Sequence, residues 1–85
     1  MKVTVTRADI EAGREHFNDI CGCPIWRALA RRLQVHGDLG VPHLNEAAVG
    51  RIKFRLPRQA VRFQERGIAG KPVKPFTFHT QPQVG

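Results

Sequence analysis

The stretch GRIKFRLPRQAVRFQER, residues 50–66, is the most strongly charged part of this chain. Six of its seventeen residues are arginine or lysine, and Glu65 is its one carboxylate. Guanidinium groups make forked, two-point contacts with phosphate and carboxylate groups, and they also stack on nucleobases. A face that serves only solubility has no need for arginine in preference to lysine. The stretch therefore favours recognition of an anionic partner, with an ordinary solvated face as the alternative.

The spacing of these cations predicts two adjoining rows. In a strand over Val49–Leu56, every second residue projects from one face, at a repeat of about 6.6–6.8 Å. In a helix over Pro57–Arg66, residues spaced i, i+4 and i+8 form one ridge with steps of about 6 Å. Two lysines follow the helix. The predicted binding residues are Arg51, Lys53, Arg55, Arg58, Arg62, Arg66, Lys71 and Lys74.

The charge is also unevenly divided along the chain. Residues 1–46 contain six basic and six acidic side chains, whereas residues 47–85 contain eight basic side chains against Glu65 alone. The whole net charge of +7 thus comes from the second half. Such asymmetry predicts a polyanionic partner: nucleic acid, a nucleoprotein complex, or an acidic face of a host protein.

A second kind of chemistry is conceivable at Cys21-Gly22-Cys23. Together with His16, the two cysteines are weak candidates for a zinc site, since structural sites usually have at least two residues between paired cysteines. Cys23 could also be a nucleophile activated by a helix N-terminus, with His16 as base and Asp19 orienting it. The alternative is structural: Cys23 caps a helix and Cys21 packs as a small apolar group. We expect no enzymatic activity, no metal and no cofactor.

The composition excludes several other classes of protein. The chain has no serine or tyrosine, which rules out serine-nucleophile hydrolysis. No apolar run follows Lys2, so no signal peptide is expected, and no stretch approaches the roughly 20 apolar residues of a membrane span. We therefore expect a cytoplasmic protein with reduced cysteines and no membrane partner.

Hydrophobic periodicity predicts the elements that must position the cations. Thr6 and Asp9 resemble a capping signal for a short helical turn. Residues 41–48 are ambiguous, with a short strand possible over Val41–Leu44 and a turn over Asn45–Ala48. The other predicted elements are a strand at Lys2–Thr6, a turn at Ala8–Ala12, a loop at Gly13–Asp19, helices at Pro24–Gln34 and Pro57–Arg66, and strands at Val49–Leu56 and Val73–His79.

This order of elements predicts a small α+β domain over residues 1–80. Two helices should pack on one face of a three- or four-stranded, mostly antiparallel sheet, followed by a loose C-terminal tail at 81–85. Because buried cations would need partners, Ile52, Phe54 and Leu56 must face the helices. Pro75 cannot donate a ladder hydrogen bond, so the last strand should lie at an edge or start late.

Direct reading of bases finds little support in the sequence. There is no zinc-finger spacing and no Gly-rich phosphate loop, and a strand separates the two long helices, unlike in a helix-turn-helix. The candidates for stacking on bases are Phe17 and Trp26, of which Trp26 is expected in the core. The sequence therefore favours binding directed at the backbone and shape of nucleic acid.

The chain resembles a group of small, mostly uncharacterised bacteriophage and prophage proteins. The resemblance lies in four segments that follow the same order as in the group: KVTVTRADIEAG, CPIWRALARRL, LPRQAVRFQERGIAGKPV and PFTF. The resemblance implies a compact α+β protein that acts as an accessory factor on host machinery. The chain differs from the group in its basic ERGIAGK segment, where the group is acidic, and in a longer stretch from His36 to Ala48.

Overall fold

The computed structural model describes residues 1–35 and 37–83. In these residues it contains three α-helices, one short 3-10 helix and six strands, so the predicted α+β class is confirmed. No helix in these ranges is long and apolar enough to cross a membrane. In chain order the elements are β1 (Lys2–Val5), α1 (Arg7–Gly13), the 3-10 helix (Arg14–His16), α2 (Pro24–Leu33), β2 (Leu39–His43), β3 (Glu46–Val49), β4 (Ile52–Arg55), α3 (Arg58–Ile68), β5 (Phe76–His79) and β6 (Pro82–Gln83).

The strands form two antiparallel sheets instead of the single sheet predicted. The smaller one pairs β1 with β5, and the larger one has the order β2-β3-β4-β6. Val3, Val5 and Phe78 of the smaller sheet are buried in the core. The strand predicted at Val73–His79 begins at Phe76, directly after Pro75, because proline has no N–H for the ladder.

The outer edge of β1 is covered by two arginines of α2. Met1 and Thr80 exchange backbone hydrogen bonds of 2.7 and 2.9 Å, so in an antiparallel ladder the carbonyl groups of Lys2 and Thr4 point away from β5. Arg32 donates to the Lys2 oxygen at 3.2 Å, and Arg31 donates to the Thr4 oxygen at 2.9 Å. These side chains occupy positions that a further strand would need.

The strand predicted over Val49–Leu56 is wrong in its first half. Val49 ends β3 and Ile52 begins β4, and the two residues between them form the hairpin loop. Gly50 has a φ of +59°, at the loop position where a type II′ turn requires glycine. The turn predicted at Asn45–Ala48 is wrong too, because most of it belongs to β3. Arg51 therefore lies in a turn and not in a row with the cations of β4.

The two faces of β4 follow the prediction except at its start. Phe54 and Leu56 are buried, with 4% and 3% of their surface exposed, whereas Ile52 beside the hairpin loop is 44% exposed. Lys53 and Arg55 alternate with the buried positions and are exposed to solvent. The side of the strand that carries the cations thus faces outward.

Helix α2 begins where the sequence predicts. The Cys23 Sγ accepts a hydrogen bond from the Trp26 backbone N–H at 3.3 Å, and Pro24 occupies the first helical position. Ile25 and Leu29 are fully buried. The helix ends at Leu33, one residue earlier than predicted, because Gln34 adopts a left-handed conformation with φ 56°.

Helix α3 ends in a turn that sends the chain back along it. The helix runs two residues past the predicted end, to Ile68. The Lys71 N–H donates to the Arg66 oxygen at 2.9 Å, and the Gly70 N–H donates to the Gly67 oxygen at 3.1 Å, with Gly70 at φ +75°. This is the Schellman motif. Residues 71–76 consequently return beside the outer side of α3.

Four phenylalanines join α3 and this returning segment to the core. The ring centroids of Phe17 and Phe63 lie 5.6 Å apart, those of Phe63 and Phe76 4.8 Å, and those of Phe76 and Phe78 5.6 Å. Helix α3 comes so close to Phe17 that a Cβ atom at Gly67 would overlap its ring. The position of α3 is therefore fixed by aromatic packing over a glycine.

The end of the chain is more ordered than the predicted tail at 81–85. Thr80 is buried, and its hydroxyl donates to the Arg55 carbonyl oxygen at 2.6 Å. Pro82 and Gln83 form β6 and pair with Phe54 and Lys53. The prediction of a loose tail is thus wrong at these two residues, and residues 84 and 85 lie outside the described part of the chain.

Candidate nucleic-acid interface

All eight predicted binding residues are exposed to solvent. Within the described residues, no carboxylate lies within the 4.0 Å ion-pair distance of any of them. The first half of the chain differs, since Arg31 pairs with Asp9 at 2.7 Å and Arg14 pairs with Glu11 at 3.3 Å. The positive charge of the second half is therefore left without internal compensation.

The arginines of α2 explain this difference between the halves. Arg31 and Arg32 cover the edge of β1, and the Arg27 Nε donates to the Gly22 carbonyl oxygen at 3.2 Å. Hydrogen bonds of this kind hold a guanidinium group in the fold. Of the eight predicted residues, Arg66 alone has a comparable bond among the residues described.

The structure brings three of the predicted cations together in one groove. This α3 groove lies between α3 and residues 72–76 and has a volume of about 360 Å³. Its cations come from both banks, Arg62 and Arg66 from the helix and Lys74 from the returning segment. Its apolar lining includes Phe63, Val73 and Phe76. Charge and apolar surface thus occur side by side.

Arg66 is held in place on one bank of this groove. Its Nε and one terminal nitrogen donate to the Pro72 carbonyl oxygen at 3.2 and 3.0 Å. A guanidinium group has five N–H donors, so about three remain for a ligand. A cation already fixed by the fold loses less conformational entropy when it binds.

A second groove continues the positive surface beyond Pro72 and Val73, which line both. This α1 groove has a volume of about 540 Å³ and is lined by Lys71, by Arg7 and Glu11 of α1, and by Arg14 of the 3-10 helix, which pairs with Glu11. Sequence analysis missed the two arginines because they come from the half of the chain with balanced charge. Their i, i+7 spacing around the buried Ile10 was a usable signal, since it puts both on one side of a helix.

The remaining predicted cations line neither groove. Arg51 lies in the β3–β4 turn, Lys53 and Arg55 lie on β4, and Arg58 lies in the first turn of α3. Arg55 is directly opposite Glu46 in the ladder, and residues paired in this way share a face. A carboxylate on that face weakens its attraction for anions, so the hairpin is the poorer half of the predicted site.

The aromatic residues of the α3 groove are not the ones that the sequence suggested. Phe17 is buried, and Trp26 packs partly against the core while its indole N–H donates to the Leu39 oxygen at 2.9 Å. Phe76 is only partly buried and lines the α3 groove. The signal for it was the repeat of one cation followed by two apolar residues in Lys71–Phe76.

The cysteines do not form the reactive centre that was considered. Cys23 is fully buried, and burial raises the pKa of its thiol, although hydrogen bonds from the Trp26 N–H and the Gln64 amide oppose that rise. The raised pKa is the opposite of what the alternative of an activated Cys23 nucleophile needs, and the predicted role of Cys23 as a cap is confirmed. Cys21 is exposed, so the packing predicted for it is wrong.

The neighbouring histidine has a partner of its own. The His16 Nδ1 lies 2.7 Å from an oxygen of Asp19, and both side chains are about half exposed. Over residues 1–35 and 37–83, no group of three or more His, Cys, Asp or Glu side chains is arranged to hold a metal ion. Cys21, Cys23 and His16 thus have no further ligand in that part of the chain.

We predict that the two thiols react with an alkylating reagent at very different rates. In the native protein Cys21 should react as an exposed thiol, and Cys23 only when the chain unfolds. Mass spectrometry after brief treatment with iodoacetamide should find one adduct per chain, and two in denaturant. The variant Cys21→Ala should give no native adduct. Rapid native labelling of that variant would contradict the assignment of Cys23 as a buried cap.

Comparison of the chain with protein-family models, curated proteins and solved structures gave no match.

Proposed function

We propose that this protein is a non-enzymatic accessory protein of the phage and prophage group that binds nucleic acid, alone or in a nucleoprotein complex, in the cytoplasm of the host bacterium. The α3 groove and the α1 groove form the binding surface. The observation that carries the proposal is the contrast between the arginines of α2 and the cations that line the two grooves. Arginines of α2 are held by internal acceptors, whereas the cations around residues 70–76 converge on two open grooves.

Binding would act mainly through the phosphate groups. Each lysine or arginine that neutralises a phosphate releases counterions, so affinity falls steeply as salt rises. The two grooves offer five cations without a carboxylate partner among the residues described: Arg7, Arg62, Arg66, Lys71 and Lys74. For a single strand, five contacts correspond to about a hundred-fold loss of affinity between 50 and 200 mM salt.

Two charge-matched variants test which surface binds. The groove variant Arg62→Ala/Lys74→Ala and the hairpin variant Lys53→Ala/Arg55→Ala each remove two exposed positive charges. Fluorescence anisotropy with a labelled 30-nucleotide oligonucleotide should find binding by the groove variant weakened by about ten-fold or more, with a salt slope smaller by about 1.4. The hairpin variant should lose less than about three-fold.

Either of two results would overturn the proposal. The first is the absence of binding by the unaltered protein at 50 mM salt. The second is an equal loss in both variants, since this would mean that only net charge matters and the grooves are not the site. Circular dichroism of each variant should match that of the unaltered protein, because all four side chains are exposed.

A second candidate function is that of an inhibitor or adaptor that docks on an acidic face of a host protein. The apolar lining of the α3 groove favours it, because aromatic side chains beside arginine are typical of protein interfaces. Such a partner would form a stoichiometric complex that survives nuclease treatment, and size-exclusion chromatography with nuclease would distinguish it from a nucleic-acid complex.

A further inference from the structure

We infer that the ligand of the α3 groove is a single strand of nucleic acid, bound with one nucleobase against Phe76 and with neighbouring phosphates on Arg62 and Arg66. This inference rests on the proposed function and specifies the form of nucleic acid. It is carried by two features of the groove: its aromatic lining and the spacing of its cations.

The aromatic lining is a feature that phosphate binding alone does not require. Phe76 is partly exposed and lines the groove, while Phe63 behind it is 6% exposed. The contacts of Phe76 with Phe63 and Phe78, at centroid distances of 4.8 and 5.6 Å, support the ring from the core. A supported aromatic ring beside cations is the arrangement on which bases of single strands stack, irrespective of sequence.

The cations are spaced to contact the phosphates on either side of such a base. Arg62 and Arg66 are separated by four residues on α3, which corresponds to a rise of about 6 Å. Lys74 faces them from the other bank of the groove. Because Arg66 is already fixed by the Pro72 carbonyl group, one phosphate position is defined before the ligand arrives.

The apolar lining disfavours a duplex at this site. In a double helix the bases are paired and stacked inside, so a duplex would present mainly its phosphate backbone to this surface. The partly exposed Val73 and Phe76 would then be left without an apolar partner. An unpaired base supplies the flat apolar face that such a lining needs.

Another cleft that combines an aromatic residue with cations is a weaker candidate. It lies beside α2 and is lined by Trp26, Arg27 and Arg31. It also contains Asp9, whose two carboxylate oxygens accept hydrogen bonds from Arg31 at 2.7 and 2.8 Å. Its charge is therefore partly compensated, in contrast to the α3 groove, where no carboxylate contributes to the lining.

The test compares three ligands of equal length at one salt concentration: a 15-nucleotide oligo(dT), the same oligonucleotide with abasic sites in place of its bases, and an oligo(dT)·oligo(dA) duplex. Affinity measured by fluorescence anisotropy should be about ten-fold or more higher for oligo(dT) than for the other two.

The variant Phe76→Leu, which keeps an apolar side chain without a π-face, should lose about five- to twenty-fold in affinity for oligo(dT) and little in affinity for the abasic strand. Arg62→Ala should weaken binding of both single strands.

A spectroscopic measurement avoids the risk that Phe76→Leu perturbs the core. A single 2-aminopurine is placed at successive positions in the oligonucleotide, and its fluorescence is recorded with the unaltered protein. Stacking in the groove should quench it, and no change at any position would overturn the inference. Equal affinity for oligo(dT), abasic strand and duplex, with a steep salt dependence, would overturn this inference but not the proposed function. If none of the three ligands binds at low salt, the proposed function fails as well.

Discussion

Replacement of Gly67 by alanine should lower the free energy of unfolding by about 1–3 kcal/mol. In a helix interior this change normally stabilises a protein, by up to about 1 kcal/mol, because alanine has the higher helix propensity. Here the added methyl group would overlap the ring of Phe17. That ring is buried against Phe63, with centroids 5.6 Å apart, and cannot withdraw without disturbing the aromatic cluster. For a domain of this size, each kcal/mol lowers Tm by about 4–8 °C.

Gly37→Ala is the matched control for this prediction. Apart from its chain neighbours, no atom of the described residues lies within 4 Å of a Cβ placed at Gly37. The substitution should change stability by less than about 0.5 kcal/mol. Thermal unfolding followed by circular dichroism compares the two variants directly. If Gly67→Ala proves as stable as the unaltered protein or more so, α3 does not pack on Phe17 as described.

Replacement of Asp9 by asparagine should cost about 2–3 kcal/mol of stability. Asp9 is 5% exposed, and it accepts hydrogen bonds from both terminal nitrogens of Arg31 at 2.7 and 2.8 Å and from the Thr6 N–H at 2.9 Å. Asparagine keeps the shape but removes the charge, and it sets an amide N–H against a guanidinium group. Arg31 is half exposed, so water compensates part of the loss and the cost stays at the lower end for a broken ion pair.

The same carboxylate should make the protein sensitive to acid. Burial raises the pKa of Asp9, and hydrogen bonds from Arg31 and Thr6 lower it. The lowering is the larger of the two effects, so the pKa in the folded protein lies below its ordinary value. Since the folded pKa is the lower one, the stabilisation is fully present above the unfolded pKa of about 3.9 and is lost as pH falls through the folded value. Denaturant titrations between pH 7 and pH 2 should therefore find a loss in the unaltered protein that is reduced in Asp9→Asn.

Asp19→Asn serves as the control for the change in stability. Its carboxylate pairs with His16 at the surface, where an ion pair contributes little. We expect its stability at pH 7 to stay within about 0.5 kcal/mol of the unaltered protein. An acid profile of Asp9→Asn identical to that of the unaltered protein would rule out Asp9 as the titrating group.

Local signals in the sequence were sufficient for the features that depend on neighbouring residues. The capping signal at Thr6 and Asp9 forms with both of its hydrogen bonds, and Cys23 and Pro24 begin α2 as expected. The outward orientation of Lys53 and Arg55 followed from simple alternation along β4. Each of these features is decided within four residues, the range over which side chains and backbone interact locally.

The features that could not be predicted depend on how the chain reverses. The turn at Gly50 ends β3 before β4 begins, so Arg51 does not lie in one row with Lys53 and Arg55. The pair Gly50-Arg51 was the signal for this hairpin, because glycine is preferred at the first position of a type II′ turn. The turn at Gly70 then creates the α3 groove by returning Lys74 past Arg62. A groove between two segments exists only after both are folded. The periodicity within one helix or strand therefore identifies the cations, but it does not tell which of them lie close together in the folded chain.

The arginines that cover the outer edge of β1 have a consequence for the protein at high concentration. A sheet of only two strands exposes most of its main-chain donors and acceptors, and such an edge is a template on which copies of a chain can stack into fibres. To join β1, an incoming strand would first have to displace the guanidinium groups of Arg31 and Arg32 from the oxygens of Thr4 and Lys2. This side of the domain therefore resists self-association.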